Sequence, residues 1–176
     1  FVGNNEEANL HIDNFTEVID LEGEFVLPGF IDSHAHIVIG GEFLLNVDLT
    51  EVDSPELFSE KIRDIALIKK EKWVIGGSWN HHNWRDSELP RKEWIDKDTE
   101  STPVFANRMD YHMALANSLA LKLAGITSET PNPPGGEIIK DENGEPTGIL
   151  IDKAMDLVND IIPQSTDEEY ANAINV

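Results

Sequence analysis

Short apolar runs along the chain are separated by segments whose hydrophobic residues recur at helical spacing. A short apolar run bounded by turn residues is typical of a buried β-strand. The sequence predicts such strands at residues 30–36, 73–77, 103–107 and 147–151. The last of them forms a predicted hairpin with residues 137–140 across Asn143-Gly144.

Helical segments alternate with these strands. Ser54-Pro55-Glu56 carries a helix N-cap with proline at the first helical position, and this helix is predicted to continue to about Lys70. Three more helices are predicted: Ala114 to Ala124, ended by Gly125; Lys153 to Ile162; and one opened by a capping box at Ser165-Thr166-Asp167-Glu168. The alternation predicts an α/β fold with a parallel sheet and at most four strand–helix units.

Four units amount to half of a (β/α)₈ barrel, which needs about 250 residues when complete. The chain has 176 residues, so it is long enough for the first half only. A small doubly wound sheet is the competing architecture, but the glycine-rich phosphate turn expected after its first strand is missing. Ahead of Pro28-Gly29, residues 17–20 and 24–27 flank Glu22-Gly23 as in a hairpin, which predicts part of a small β module.

Composition restricts the partners and the metal chemistry. The chain carries 34 acidic and 13 basic residues, a formal charge of −21, so nucleic acid and anionic membranes would repel it. Hydrophobic content of 40% and a mean hydropathy of −0.32 are those of a globular chain. With no cysteine, a metal would have to be bound by His, Asp, Glu or a modified Lys. The absence of cysteine does not decide the cellular compartment, although it slightly favours the cytosol. Because the chain starts at Phe1 and stops soon after a predicted helix start, we interpret it as a fragment.

Two histidines offer a metal site at the first of these strands. His34 and His36 are two residues apart, so on a strand both imidazoles lie on the face that also carries Asp32. They could share one metal ion, with Asp32 either orienting a ligand imidazole or capping the local backbone. A chance His-x-His pair is the alternative, because this spacing alone is a weak motif.

The residues around this histidine pair form a motif that is more specific than the pair alone. Residues 27–36, Leu-Pro-Gly-Phe-Ile-Asp-Ser-His-Ala-His, closely resemble the first-strand signature of the metal-dependent amidohydrolase superfamily. Further motifs follow in the order found in the branch that contains N-substituted formamide deformylase: Gly77-Ser78-Trp79 with Trp84, Asp110-Tyr111-His112 with Asn117-Ser118, Pro133-Pro134-Gly135-Gly136-Glu137-Ile138, and Gly144 to Leu150. The resemblance extends from about Glu17 over the rest of the chain.

This resemblance implies a TIM-like barrel with a divalent metal, zinc being the expected ion, and a small β-sandwich built from the chain termini. Residues 1–27 would be part of the sandwich and residues 28–176 the first half of the barrel. The implied reaction is hydrolysis of a non-peptide C–N bond in a small amide-type substrate. A relative that keeps the fold, lacks catalysis and has an interaction or regulatory role is the other possibility.

Further site residues follow from the same resemblance. His112 matches a motif histidine and is the expected catalytic residue; the alternative is a helix N-terminal histidine bonded to backbone. Asp152, at the end of the fourth strand, is the expected carboxylate ligand; the alternative is a helix cap. Lys153 would bind a metal only if carboxylated.

Other polar and aromatic residues lie in the stretch after the second predicted strand. His81 and His82 are expected to belong to an exposed polar loop and not to bind metal. Trp79 and Trp84 could line a pocket or pack in the core.

Overall fold

The computed structural model describes residues 2–34, 37, 41, 44–70 and 72–175. The chain divides into two compact units, Phe1–Ala35 and His36–Val176. In the first unit the one regular element among the described residues is helix α1 (Asn5–Asn9), whose N-cap Asn4 accepts a hydrogen bond from the Glu7 N–H at 2.9 Å.

In the first unit, the residues of the predicted hairpin and the described part of the first predicted strand, residues 30–34, are not β-strands. The predicted turn is present, because the Glu24 N–H donates to the Leu21 carbonyl at 2.9 Å and Glu22 adopts a φ of 52°. However, residues 2–34 contain no β-strand, and Phe30 is 91% exposed. A two-stranded hairpin is marginal unless an apolar surface covers one face, and these side chains have no such cover. The β-sandwich therefore stays a prediction.

The second unit is built on a six-stranded mixed sheet. Its strands are β1 (Val47–Asp48), β2 (Val74–Trp79), β3 (Val104–Arg108), β4 (Met113–Ala116), β5 (Gly136–Lys140) and β6 (Pro146–Asp152). Their order across the sheet is β1-β2-β3-β4-β6-β5. The first three run parallel, and the parallel pairing of β2 with β3 agrees with the prediction. The other pairs are antiparallel: the β5–β6 hairpin was predicted, whereas the pairing of β4 with β3 and with β6 was not. The fold is thus mixed α/β, and the half barrel remains a prediction.

Among the residues that the structure describes, short helices and one long helix accompany the sheet. They are α2 (Pro55–Lys69), α3 (Glu93–Asp96), α4 (Ser118–Leu123), α5 (Asp156–Asn159) and α6 (Asp167–Ile174), with a 3₁₀ helix at His81–Asn83. Helix α2 agrees with the prediction and buries Phe58, Ile62 and Ala66 on one face. No helix in the described ranges is long and apolar enough to cross a membrane.

In the second unit, three more predicted elements differ from the structure. Residues 113–116 form strand β4, not the start of a helix, because a central strand buried on both faces has no polar alternation to mark it. The predicted helix from Lys153 to Ile162 is reduced to α5. The capping box exists one residue later, between Thr166 and Glu169.

The core lies on both faces of the sheet. Side chains alternate along a strand, so Val104 and Ala106 join one hydrophobic cluster and Phe105 the other. The first cluster includes helix α2 and an aromatic group of Phe58, Trp79 and Trp84. The sheet is therefore fixed from both sides, and its strand ends provide a rigid edge.

Candidate active site

One edge of the sheet gathers the polar residues that the sequence singled out in the second unit. The parallel strands β1, β2 and β3 all end at this edge. Because β4 runs back beside β3, it starts there, and β6, antiparallel to β4, ends there with Met113 opposite Ile151. In sheets of this kind, ligands bind outside the carboxyl ends of the parallel strands. We call this edge the carboxyl edge.

His112 and Asp152 form a pair at the carboxyl edge. Their side chains meet at 2.8 Å between His112 Nδ1 and Asp152 Oδ1, and the Asp152 N–H donates to the His112 carbonyl at 3.0 Å. Two hydrogen bonds thus join residues that are forty positions apart in the chain. The His112 side chain is 75% exposed and that of Asp152 50%, so a ligand can reach both.

The local backbone holds the pair in place. Tyr111 and Asp152 both adopt left-handed φ values, 59° and 47°. The Asp110 carboxylate accepts hydrogen bonds from the His112 N–H at 3.2 Å and from Arg108 Nη1 at 2.6 Å. Strained residues of this kind persist where surrounding contacts over-determine them, and they concentrate at functional sites.

Asp152 controls the proton on the imidazole. Its hydrogen bond to His112, and then its negative charge, raise the pKa of His112. A carboxylate accepts only, so the His112 proton at this contact lies on Nδ1. The nitrogen left for a substrate or metal is therefore Nε2.

Asp152 makes this contact in place of the helix cap that was its alternative role. Its carboxylate is bonded to His112, whereas the N-cap of α5 is Met155, which makes no side-chain cap. Lys153 pairs with Asp156 at 3.0 Å, an exposed contact that orients its ammonium along the surface.

Two more ligands were predicted, His34, which belongs to the first unit, and His36. The His34 N–H donates to Asp32 Oδ1 at 2.9 Å, so Asp32 caps a local turn. His36 lies outside the described residues. Among the residues that the structure does describe, no three His, Asp or Glu side chains converge as a metal cluster. The metal site of His34, His36 and Asp152 therefore remains a prediction.

The prediction that His81 lies in an exposed polar loop is wrong. The residue is 9% exposed, not part of an exposed loop, and only His82 beside it faces solvent as expected. Asn80 Oδ1 accepts from the His82 N–H at 3.1 Å and starts the 3₁₀ turn that orients the two rings. Asn80 ahead of two histidines was the available signal, because Asn commonly opens such turns. Burial lowers the pKa of His81, and the nearby His82 and Arg108 lower it further.

The two tryptophans pack in the core. Trp79 is fully buried and its Nε1–H donates to the Ala106 carbonyl at 2.8 Å. Its ring lies 6.3 Å from Phe58 and 6.5 Å from Trp84, in edge and tilted contacts that stabilise aromatic clusters. Of the two roles considered for them, packing is the one these contacts support.

The end of β2 is strongly distorted. Gly76, Gly77 and Ser78 have φ values of 102°, 122° and 63°, and the pairing with β3 shifts register between Gly77 and Trp79. A Cβ on Gly77 would lie 2.5 Å from the Asn107 carbonyl oxygen, so only glycine fits there. Bulges of this type occur next to active sites, where they redirect a side chain. This one leads directly into the turn that buries His81.

The model of the amidohydrolase family matches residues 17–176. The chain belongs to the amidohydrolase family. This confirms the resemblance found in the sequence.

Named relatives of this amidohydrolase-family chain are longer proteins. It is 44% identical over 160 residues to the protein LONG AFTER FAR-RED 3 of Arabidopsis thaliana, covering 90% of this chain and 27% of that protein. It is 34% identical over 148 residues to N-substituted formamide deformylase of Arthrobacter pascens, covering 81% and 27%. A metal-dependent hydrolase from Pyrococcus furiosus, described as uncharacterized, superposes with a TM-score of 0.61 at 29% identity, covering 96% and 32%. The chain thus spans about a third or less of each relative.

Proposed function

We propose that this chain is part of a metal-dependent hydrolase that acts on non-peptide C–N bonds of small amide-type substrates. The observation that carries the proposal is the His112–Asp152 pair, an exposed imidazole oriented by a carboxylate at the carboxyl edge. Family membership and the deformylase relative support the same chemistry. The formamide class is the substrate we expect.

The donors at this edge suit a divalent metal. Asp152 has a second carboxylate oxygen beyond the one bonded to His112, and carboxylate oxygen and imidazole nitrogen are both donors that Zn²⁺ accepts. We propose that Asp152, His34 and His36 hold the ion and that the ion is zinc. A bound divalent ion would polarise the substrate carbonyl and lower the pKa of a water.

His112 is the proposed catalytic residue. With Nδ1–H donated to Asp152, its Nε2 can accept a proton from the attacking water and return it to the departing amine nitrogen. The carboxylate stabilises the imidazolium that this transfer creates, which agrees with the raised pKa of His112. The strained turn at Tyr111 fixes the direction of the ring.

The proposed architecture follows the family. Residues 28–176 would supply the first half of a barrel, and residues 1–27 part of a β-sandwich. The superposition on the Pyrococcus furiosus hydrolase supports this, because it uses 96% of this chain but 32% of the longer one. A catalytically silent relative with a regulatory role is the rival function.

The test uses the full-length protein and measures metal content and amide hydrolysis. Asp152→Asn should abolish most turnover and lower the metal stoichiometry, because an amide is a weaker metal ligand and no longer accepts a charged hydrogen bond from His112. Asn tolerates the left-handed backbone at this position, so the fold should persist.

The matched control is Asp156→Asn, which removes an exposed carboxylate four residues away. It should behave as the wild type. Unchanged turnover and metal content in Asp152→Asn would remove Asp152 from the site. A metal-free wild type without activity on any formamide would instead favour the silent relative.

A further inference from the structure

Several buried polar atoms at the ends of β2 and β3 have no hydrogen-bond partner in the described part of the chain. They are His81 Nδ1, Asn107 Oδ1 and Arg108 Nε, with Trp84 Nε1 close in sequence. Native proteins leave few such atoms, and each one calls for a cause. These atoms lie beside the bulge at Gly77 and Ser78, so the strained backbone and the polar atoms without hydrogen bonds occur at the same place.

A chain of contacts connects this place to the His112–Asp152 pair. Arg108, which follows Asn107 at the end of β3, donates to Asp110, and Asp110 accepts from the His112 N–H. Arg108 and Asp110 are also close enough to His81 to act on it electrostatically. His81 therefore belongs to the same carboxyl edge as the proposed catalytic residue.

We propose that His81 is a substrate-binding residue whose Nε2–H donates a hydrogen bond to the carbonyl oxygen of the amide substrate. This inference rests on the proposed function and adds a recognition group to it. His81 Nδ1 is buried and has no hydrogen-bond partner among the described residues, so Nε2 is the ring nitrogen left for a ligand.

The environment of His81 selects the form that the role requires. An enclosed N–H without an acceptor is rarer in proteins than an enclosed lone pair, so the proton resides on Nε2. Burial is the main cause that lowers the pKa of His81, and a lowered pKa keeps the ring neutral. A neutral imidazole that donates to a carbonyl polarises it without exchanging a full proton.

His82 provides a matched control in the same turn. Its ring lies 4.0 Å from that of His81, but it is exposed and its N–H is held by Asn80. Replacing either histidine by Asn removes the same imidazole. If the two variants differ in activity, the difference is therefore due to where the imidazole lies and not to the loss of an imidazole as such.

The experiment uses the full-length protein with formanilide as substrate and phenylurea as a non-hydrolysed carbonyl analogue. His81→Asn should lower kcat/KM at least about tenfold and His82→Asn less than about twofold, with equal melting temperatures. In the wild type, phenylurea should shift the ¹⁵N resonance of His81 Nε2 and leave that of His82 unchanged.

Each outcome bears on one conclusion. If wild-type turnover is normal and His81→Asn matches it, or if phenylurea leaves His81 Nε2 unmoved, the inference is overturned while the proposed function stands. If His81→Asn fails to fold, the wild-type NMR titration decides. If the wild type hydrolyses no formanilide, the proposed function is contradicted, and the phenylurea titration still tests His81 as a carbonyl-binding residue.

Discussion

Replacing Asn117 by Ala should be among the most destabilising single changes in the second unit. Its side chain is 1% exposed and lies where β4 ends and α4 begins. Oδ1 accepts from the Val104 N–H at 3.0 Å and from the Ala120 N–H at 2.9 Å. Nδ2 donates to the carbonyls of Thr99 and Thr102 and to the Thr99 hydroxyl, at 3.2, 2.9 and 2.9 Å. One amide thus ties β3, α4 and the loop before β3 together.

The magnitude follows from the groups left unpaired. Loss of the N-cap at Ala120 costs about 1 kcal/mol, and a buried unpaired N–H at Val104 about 1–3 kcal/mol. With the Thr102 carbonyl also unpaired, the free energy of unfolding should fall by about 3–5 kcal/mol. At a urea m-value of about 2 kcal/mol/M, the midpoint should move down by roughly 2 M.

Urea unfolding followed by tryptophan fluorescence measures this change. The control is Ser118→Ala, which removes the adjacent exposed hydrogen bond from Ser118 Oγ to Asp96 at 2.7 Å. That control should cost about 1 kcal/mol or less, because water replaces the lost contact. A loss for Asn117→Ala that is no larger than the control would refute the assignment of Asn117 as a buried hub.

Two further predictions concern the backbone and a carboxylate. Gly77→Ala should destabilise the chain far more than Gly144→Ala. Both glycines have positive φ, but of the two only Gly77 has backbone atoms in the space that a Cβ would occupy. Thermal melting of the two variants measures the difference. Glu169 has its pKa lowered to about 2 by hydrogen bonds from the Thr166 backbone, from Lys72 and from the Thr166 hydroxyl. Because the folded-state pKa is below the unfolded value, its stabilisation is present above about pH 4.5 and is lost as the pH falls towards 2. Carboxyl ¹³C NMR should show this low titration in the wild type and a higher one in Thr166→Ala; an ordinary value in the wild type would contradict the cap.

The sequence predicted elements well where a local signal coincides with the tertiary structure. Helix α2 has a proline at its first position and a regular apolar face, and the β5–β6 hairpin has an Asn-Gly turn. Both depend on residues close in the chain. The direction of β4 depends on its partners β3 and β6, and no residue between Met113 and Ala116 encodes that partnership.

The candidate site shows the same division. His112 and Asp152 were selected separately, from a motif and from the end of a strand, and the structure brings them to 2.8 Å. Their pairing could not be read from the sequence, because it depends on β4 and β6 lying side by side. His81 was assigned to solvent because polar residues usually mark loops. Its burial follows from the bulge at Gly77, and the sequence marks that bulge with no more than two adjacent glycines.

The hairpin of β5 and β6 has a practical use in labelling. Asn143, in the turn of this hairpin, is exposed and lies at the opposite end of β6 from Asp152. Strand β6 is seven residues long and ends at Asp152, so it spans about 20 Å from the turn to that residue. The chain contains no cysteine, so Asn143→Cys would introduce a thiol unique within it. A fluorophore attached there would test for binding at the carboxyl edge by energy transfer without touching the proposed catalytic residues.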